Sequence, residues 1–496
     1  MWVGVLASEC LSNFVRDANY IGRPYLSKTQ ERRTFLVTSF SQKGTMVVRR
    51  GRTWRRRRRR KDETRPVSLA HEESFVRFFQ WLHRNGCRNV PLKPAVFPET
   101  GRGLMATKAL KHEELILTIP KRLLITLDAI MDSYIAPYIE RADPQLNPTQ
   151  TLAAFLMCEK YRREKSFWRP YIDILPEEYS CPAFFTEDDF RLLPNSLRGR
   201  AKAKKYECHK EYKELTPFFK QLADLFPGQE DVFSFKDFKW AWSALKTRAF
   251  DVPIGLESCP HIRDTDTPTP TMFPLVDSIN HSVKAKIRHR YNDKSRCLES
   301  RMGTVYRKHA EVMNSYGRAD NDNLLLEFGF VVPGNPADTV TFNLVQDVLE
   351  YLQPENNELL ERKIMFLAQN NLISDLTCGV TGVSPQLLIA LMVFLCKHDD
   401  EDVWEDVRTG RFEEDGPLDA KARKIAGRLL SLRLRTYPTT TEEDKELLKE
   451  VTSPCGRLAV YCGMERKKLL ENGLKMLQHS SKLAIAKGVL RKLFSR

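Results

Sequence analysis

An α+β fold is predicted, and three observations predict it. Leu115, Leu117 and Ile119 alternate with the two-residue period of a strand until Pro120 stops it. From Thr126 to about Thr247, apolar side chains recur at the three- and four-residue spacing of amphipathic helices. Short polar segments at Arg288–Tyr291 and Gly303–Tyr306 then suit edge strands, and beyond Pro333 the helical period returns.

The chain opens on a basic extension. Residues 1–66 hold 17 Lys and Arg against 5 Asp and Glu, while the rest of the chain holds 62 against 59. The excess is concentrated in Arg49, Arg50, Arg52 and the run Arg55 to Arg60. Like charge at that density repels itself and stays extended until an anion neutralises it. Nuclear import, weak nucleic-acid contact and a solvated tail all fit this run. A nearly neutral body argues against a broad phosphate-binding face as the main function. The 11 Cys include no CxxC pair, the pattern of small buried side chains in a reduced intracellular protein. Cys259 and His261 have no ligand partners nearby in sequence, so no metal is expected. The first 15 residues are apolar but contain Glu9 and lack a basic start, unlike a signal peptide. No apolar run reaches the roughly 20 residues that span a bilayer.

Phe75, Phe78, Phe79 and Leu82 share one face of a lead-in helix, begun at Ser68 or Ser74 and ended near Gly86. A proline-containing segment, Pro91 to Pro98, leads to Gly101-Arg102-Gly103-Leu104, where glycine permits positive φ and close approach of another group. Taken alone, this is a hairpin turn. In the helical stretch, Leu152, Phe155, Leu156 and Glu159 share a face, and Arg198 to Lys213 reads as a solvated helical surface. Ser234 and Asp237 form a cap pair for a helix with Phe238, Ala241, Trp242, Leu245 and Ala249 as its core stripe. Arg248 at its end suits either the helix macrodipole or a carboxylate held in its fork.

Asp277-Ser278-Ile279-Asn280-His281-Ser282 follows the apolar Phe273, Leu275 and Val276, and Ser315-Tyr316-Gly317 follows a last core strand through Val312 and Met313. Asp320 to Asn323 caps Leu324 to Phe330. Beyond Pro333, Leu359, Ile364 and Leu367 repeat, Ser384-Pro385 starts a buried helix over Leu387 to Leu395, and Gly427 interrupts a further run. Thr440 and Glu443 have capping-box spacing, and Met464 to Phe494 forms a basic amphipathic helix.

In this order, the Gly-Arg-Gly turn, Ser166-Phe167-Trp168-Arg169-Pro170-Tyr171, Asn280-His281-Ser282, Tyr316 and the Tyr437-x-Thr-Thr-x-Glu-Glu-Asp444 series resemble the SET-domain protein methyltransferases. The resemblance is to the branch that includes plant Rubisco large-subunit methyltransferase, and covers roughly residues 70–450. It implies a SET-domain β core with a helical insertion and pseudoknot, followed by an all-helical substrate-binding domain. The implied boundaries are 1–66 for the extension, 67–333 for the SET domain with its insertion at about 126–250, and 334–496 for the helical domain.

The resemblance also implies S-adenosyl-L-methionine-dependent protein-lysine N-methyltransferase activity on a histone or non-histone protein. The backbone of Gly101, Arg102 and Gly103 would hold the methionine end of S-adenosylmethionine, Arg248 its carboxylate, and Asn280 and His281 its adenine and amino-acid portions. Phe330 would line the adenine pocket, and Tyr316 would orient the target amine as the catalytic group. Phe328 stands in the substrate channel where close family members usually carry tyrosine. One relative in the branch methylates histidine, so a histidine acceptor stays open, as does a catalytically weak peptide- or nucleic-acid-binding protein. A monomer in nucleus and cytoplasm is expected, with a protein substrate and no metal or membrane.

Overall fold

The structure, a computed structural model, describes residues 65–229, 231–251, 254, 260–263, 269–355, 357–397, 400–413 and 416–479. The Arg55 to Arg60 run, Cys259 and the expected end of the last helix at Phe494 lie outside the described residues. The chain divides into two compact units, the described residues of the larger lying within 66–341 and 371–479. The described part of the smaller includes the helix Glu358–Gln369, in which Leu360 and Leu367 are buried and Asn357 caps the N-terminus by accepting from the Leu360 amide at 3.0 Å.

In the larger unit, β1 (Val67–Ser68) precedes α1 (Glu73–Arg84), which buries Phe78, Trp81 and Leu82. The residue before this helix is Glu72, so neither Ser68 nor Ser74 caps it. The proline-containing segment proves to be a strand, β2 (Leu92–Phe97), in a hairpin with β3 (Gly101–Ala106). Pro94 is tolerated because β1 pairs only with Ala95 and Val96 on the other side of β2. In β4 (Leu115–Pro120), Ile116, Leu117 and Ile119 are all buried, and a bulge between Leu115 and Leu117 shifts the simple alternation.

The helical stretch holds α2 (Pro148–Tyr161), α3 (Asn195–Leu222) and α4 (Phe235–Arg248). Ser234 caps α4 as its sequence spacing requires, accepting from the Asp237 amide at 3.2 Å. The chain then passes through β5 (Phe250–Asp251), β6 (Pro270–Thr271), β7 (Asn280–His281), β8 (Ile287–Asn292), β9 (Cys297–Met302) and β10 (Glu311–Asn314). The strand expected at Gly303–Tyr306 lies instead at Cys297–Met302; Tyr306 contributes only an isolated bridge to Leu110.

One sheet has the order β1-β2-β3-β10-β7 and a second the order β4-β9-β8. Within the first, β10 runs antiparallel to β3 and parallel to β7, pairing Met313 with Asn280 and Asn314 with His281. This pairing brings the two polar motifs together although about 35 residues separate them.

The C-terminal region is a helical bundle but not all-helical as expected: a small sheet of β11 (Thr339–Thr341), β12 (Thr377–Gly379) and β13 (Gly382–Val383) leads into α5 (Pro385–Leu395), α6 (Pro417–Arg435), α7 (Thr441–Glu450) and α8 (Pro454–His479). Gly427 does not interrupt its helix: α6 runs through it, with Leu474 and Leu477 of α8 close by. Thr440 and Glu443 form the expected capping box. The final helix begins ten residues before the expected Met464, at Pro454. No helix among the described residues is long and apolar enough to cross a membrane.

Candidate active site

The glycine turn and the Asn-His-Ser segment are built as one unit. Gly101 has φ +73°, and a Cβ on Gly103 would lie 2.7 Å from Asn280 Nδ2 and 2.8 Å from Glu311 Oε1. Glycine is therefore required at 103 by the packing of a strand that arrives some 180 residues later. Asn280 Nδ2 donates to Arg102 O at 3.1 Å and to Glu311 Oε1 at 2.8 Å, and Thr100 Oγ1 donates to the same carboxylate at 2.7 Å. The amide nitrogen of Asn280 thus fastens the turn, and Glu311, which the sequence reading did not single out, is its anchor. Burial raises the Glu311 pKa, while these donors favour its ionised form.

Arg248 sits at the last position of α4, yet its guanidinium turns away from the helix end. Nη1 donates to Asp277 O at 3.0 Å and Asp277 Oδ2 at 3.2 Å. Asp277 is buried and also accepts from Tyr171 Oη at 2.8 Å. Burial opposes the charge of Arg248, but the Asp277 carboxylate outweighs it and holds the guanidinium protonated. Arg102 lines the same cavity, donating from Nη1 to Ile174 O at 3.2 Å; burial and, next, the charge of Arg248 lower its pKa. Two guanidiniums that disfavour one another beside one carboxylate leave room for a second anion.

Tyr316 follows β10 by two residues. Its backbone N–H donates to His281 Nδ1 at 3.0 Å and its Oη donates to Ile279 O at 2.6 Å. Because His281 Nδ1 accepts, the ring proton resides on Nε2, which is buried with no partner among the described residues. Burial lowers the His281 pKa and keeps the ring neutral. Burial also pushes the Tyr316 phenol up to about 12, so it is protonated at neutral pH. Phe328 lies 5.1 Å from the Tyr316 ring, and Phe330 lies 5.8 Å from His281 and 6.1 Å from Tyr316, centroid to centroid. Asp320 caps their helix through the Asn323 amide at 2.8 Å, and Gly329, at φ +76°, turns the chain between the two rings.

These groups line one cavity of about 1100 Å³. Arg102, Gly103, Arg248, Asn280, His281, Tyr316, Phe328 and Phe330 all contribute to it; Gly101 forms the turn beside it. Tyr179 also lines it: its buried hydroxyl has Arg248 as its nearest charged neighbour, without hydrogen-bond geometry to any described residue. Pro333, Pro336, and Leu458 and Tyr461 of α8 line it too, so the helical bundle completes its wall. The lining fits S-adenosylmethionine: Arg102 and Arg248 put two guanidiniums on the cavity where a carboxylate could be held, and Phe330 offers an aromatic wall.

A glycine turn tied to an Asn-His-Ser strand, with a half-buried tyrosine two residues past the parallel neighbour, defines a SET-domain methyltransferase. A mouse (Mus musculus) SET domain-containing protein 4 is 34% identical over 373 residues, covering 75% of this chain and 84% of that protein. The human (Homo sapiens) SET domain-containing protein 4 is 32% identical over 369 residues, covering 74% and 83%. The chain belongs to the SET domain-containing protein 4 family. It is also similar, at 27% identity over 433 residues covering 83% of this chain and 71% of the relative, to an actin-histidine N-methyltransferase of Xenopus tropicalis. The Rubisco LSMT substrate-binding family matches residues 354–470. The fold is that of Rubisco LSMT solved with sinefungin and monomethyllysine: TM-score 0.60 at 22% identity, covering 82% of this chain and 92% of that one.

Proposed function

We propose that this protein transfers methyl groups from S-adenosylmethionine to a lysine side chain of a protein substrate. The observation that carries the reading is Tyr316, a half-buried neutral phenol fixed to the Ile279 carbonyl between the Arg248 end of the cavity and the Phe328 wall. The bound cofactor supplies an already activated methyl sulfonium, so the protein must position, desolvate and orient. Arg248 and Arg102 hold the anionic end. His281, Phe328 and Phe330 exclude water. A lysine amine, with an ordinary pKa of about 10.4, must arrive neutral, and an apolar wall disfavours its ammonium form. Tyr316 does not take that proton, because its own pKa is raised; its hydroxyl and the Ile279 carbonyl orient the nitrogen.

Methyl transfer from labelled S-adenosylmethionine to proteins of a matched cell extract tests this. We expect labelled bands with the intact chain, loss of labelling with Tyr316→Phe, and mass mapping of the label to lysine. Mapping to histidine would transfer the assignment to the acceptor named for the Xenopus relative, which the apolar Phe328 wall would also admit. Absence of both labelling and cofactor binding would replace the enzyme reading with recruitment. A histone or another protein is equally compatible with the cavity. Action in nucleus and cytoplasm is proposed on the basic extension alone, which bears on import and not on oligomeric state.

A further inference from the structure

We propose that the outer face of the β8–β9 hairpin binds the phosphate backbone of duplex nucleic acid. Outside the N-terminal extension the chain is nearly neutral, with 62 Lys and Arg against 59 Asp and Glu, but residues 284–309 hold nine against two. This one segment therefore carries more positive charge than the whole body, and the remainder of the body is net acidic.

The register arranges that charge. Ile287, Ser300 and Met302 face inward, and His289 pairs with Ser300, so Arg288 and Arg290 project outward together with Arg301. Lys286, just before the strand, is exposed in the same alternation. At about 3.3 Å per residue, alternate cations stand roughly 7 Å apart along the strand. Arg288 and Arg301 are directly opposed across the pair, where like charges disfavour the sheet. Two carboxylates answer them: Glu113 pairs with Arg288, and Glu299 lies 3.7 Å from Arg301. Lys286 and Arg290 have no ion-pair partner among the described residues.

The chemistry of the face decides the partner. No large hydrophobic side chain of β8 or β9 is exposed, whereas a protein interface needs an apolar, desolvated centre. Exposed aromatic platforms for stacking single-stranded bases are missing from these strands for the same reason. A polar, arginine-rich, flat surface fits backbone phosphates, which guanidinium forks bind in two parallel bonds. Lys284, two residues before Lys286, lines the large cavity, so a duplex on this face would lie beside the mouth of the site. The inference is independent of methyl transfer.

The test is fluorescence anisotropy of a labelled duplex DNA across a salt series, using the full chain with every arginine of the Arg55 to Arg60 run changed to glutamine. We expect binding that weakens steeply with salt. Adding Lys286→Gln, Arg290→Gln and Arg301→Gln should lower affinity at least about tenfold at low salt and reduce the logarithmic salt slope by about three. These side chains are exposed, and an unchanged melting temperature confirms the fold. Absence of duplex binding once the arginine run is neutralised would overturn the proposal, as would binding indifferent to the triple change. Equal capture of a polyglutamate peptide by the same face would give it to an acidic protein and overturn it too.

Discussion

At the scale of single residues, the site divides into groups whose roles their bonds define and groups that wait for a partner. Tyr316 is the first kind. Tyr316→Phe keeps the ring but removes the hydroxyl at 2.6 Å from Ile279 O, so cofactor affinity should hold while turnover falls about 10²-fold, the cost of one oriented donor. Equilibrium dialysis of labelled cofactor beside single-turnover methylation separates the two. Tyr179 is the second kind. Its buried hydroxyl lies in the cavity beside Arg248 without hydrogen-bond geometry to it, and Tyr179→Phe should weaken S-adenosylmethionine binding about tenfold, the worth of one hydrogen bond to a charged group; unchanged affinity by calorimetry would remove Tyr179 from the cofactor site. Phe328 packs beside Tyr316, where the proposed amine would enter. Phe328→Tyr adds a hydroxyl to a wall 5.1 Å from Tyr316 and should shift products toward fewer methyl groups per lysine, read by intact-mass analysis.

At the scale of elements, the parallel β7–β10 pair does the assembling, and His289 ties β8 and β9 to it. One ring nitrogen of His289 meets Ser300 Oγ at 2.9 Å and the other meets Asn314 Nδ2 at 3.1 Å, while Asn314 Oδ1 accepts from the Ile287 amide at 3.0 Å. The amide of Asn314 can only donate, so the facing nitrogen is unprotonated and the ring neutral. Burial depresses the His289 pKa to about 4. A depressed folded-state value means stability that is fully present above the unfolded pKa near 6.5 and lost as pH falls through about 4. Chemical denaturation between pH 7 and pH 4 should therefore show a loss on the order of 3 kcal/mol that a His289→Gln chain does not show.

The same elements explain what could be read beforehand. Caps at Ser234, Asp320, Ser384 and Thr440 were legible because donor and acceptor lie three residues apart. Asn280, His281 and Tyr316 were legible as a motif. Glu311, Asp277 and Tyr179 were not, since Thr100 meets Glu311 across 211 residues and Tyr171 meets Asp277 across 106. Periodicity carries no information over such separations.

At the scale of the molecule, the C-terminal helices and the catalytic half of the larger unit share a buried ion pair that governs the wall of the site. Arg466 of α8 is 2% exposed and pairs with Asp322, which lies in the turn that starts the Phe328 helix. The remaining donors of Arg466 reach Tyr437 Oη at 3.0 Å and Ser196 Oγ at 3.1 Å, so bundle, insertion and catalytic turn meet at one guanidinium. Asp322 neighbours Asn321, whose side chain accepts from the Val332 amide at 2.8 Å and donates to Asp338 at 2.7 Å. Through these contacts the position of α8 is transmitted to the segment carrying Phe328, Phe330 and Val332. Removing one member of a buried pair leaves an uncompensated charge, whereas removing both does not. Arg466→Met alone should destabilise the protein by about 3–5 kcal/mol, and Arg466→Met with Asp322→Leu by much less. If the pair also positions the wall, the double variant, though folded, should show a raised KM for protein substrate at nearly unchanged cofactor affinity. A double variant with wild-type KM would confine the pair to stability and leave the alignment of the Phe328 helix to the packing of Leu325 and Leu326 against Ala459 and Cys462.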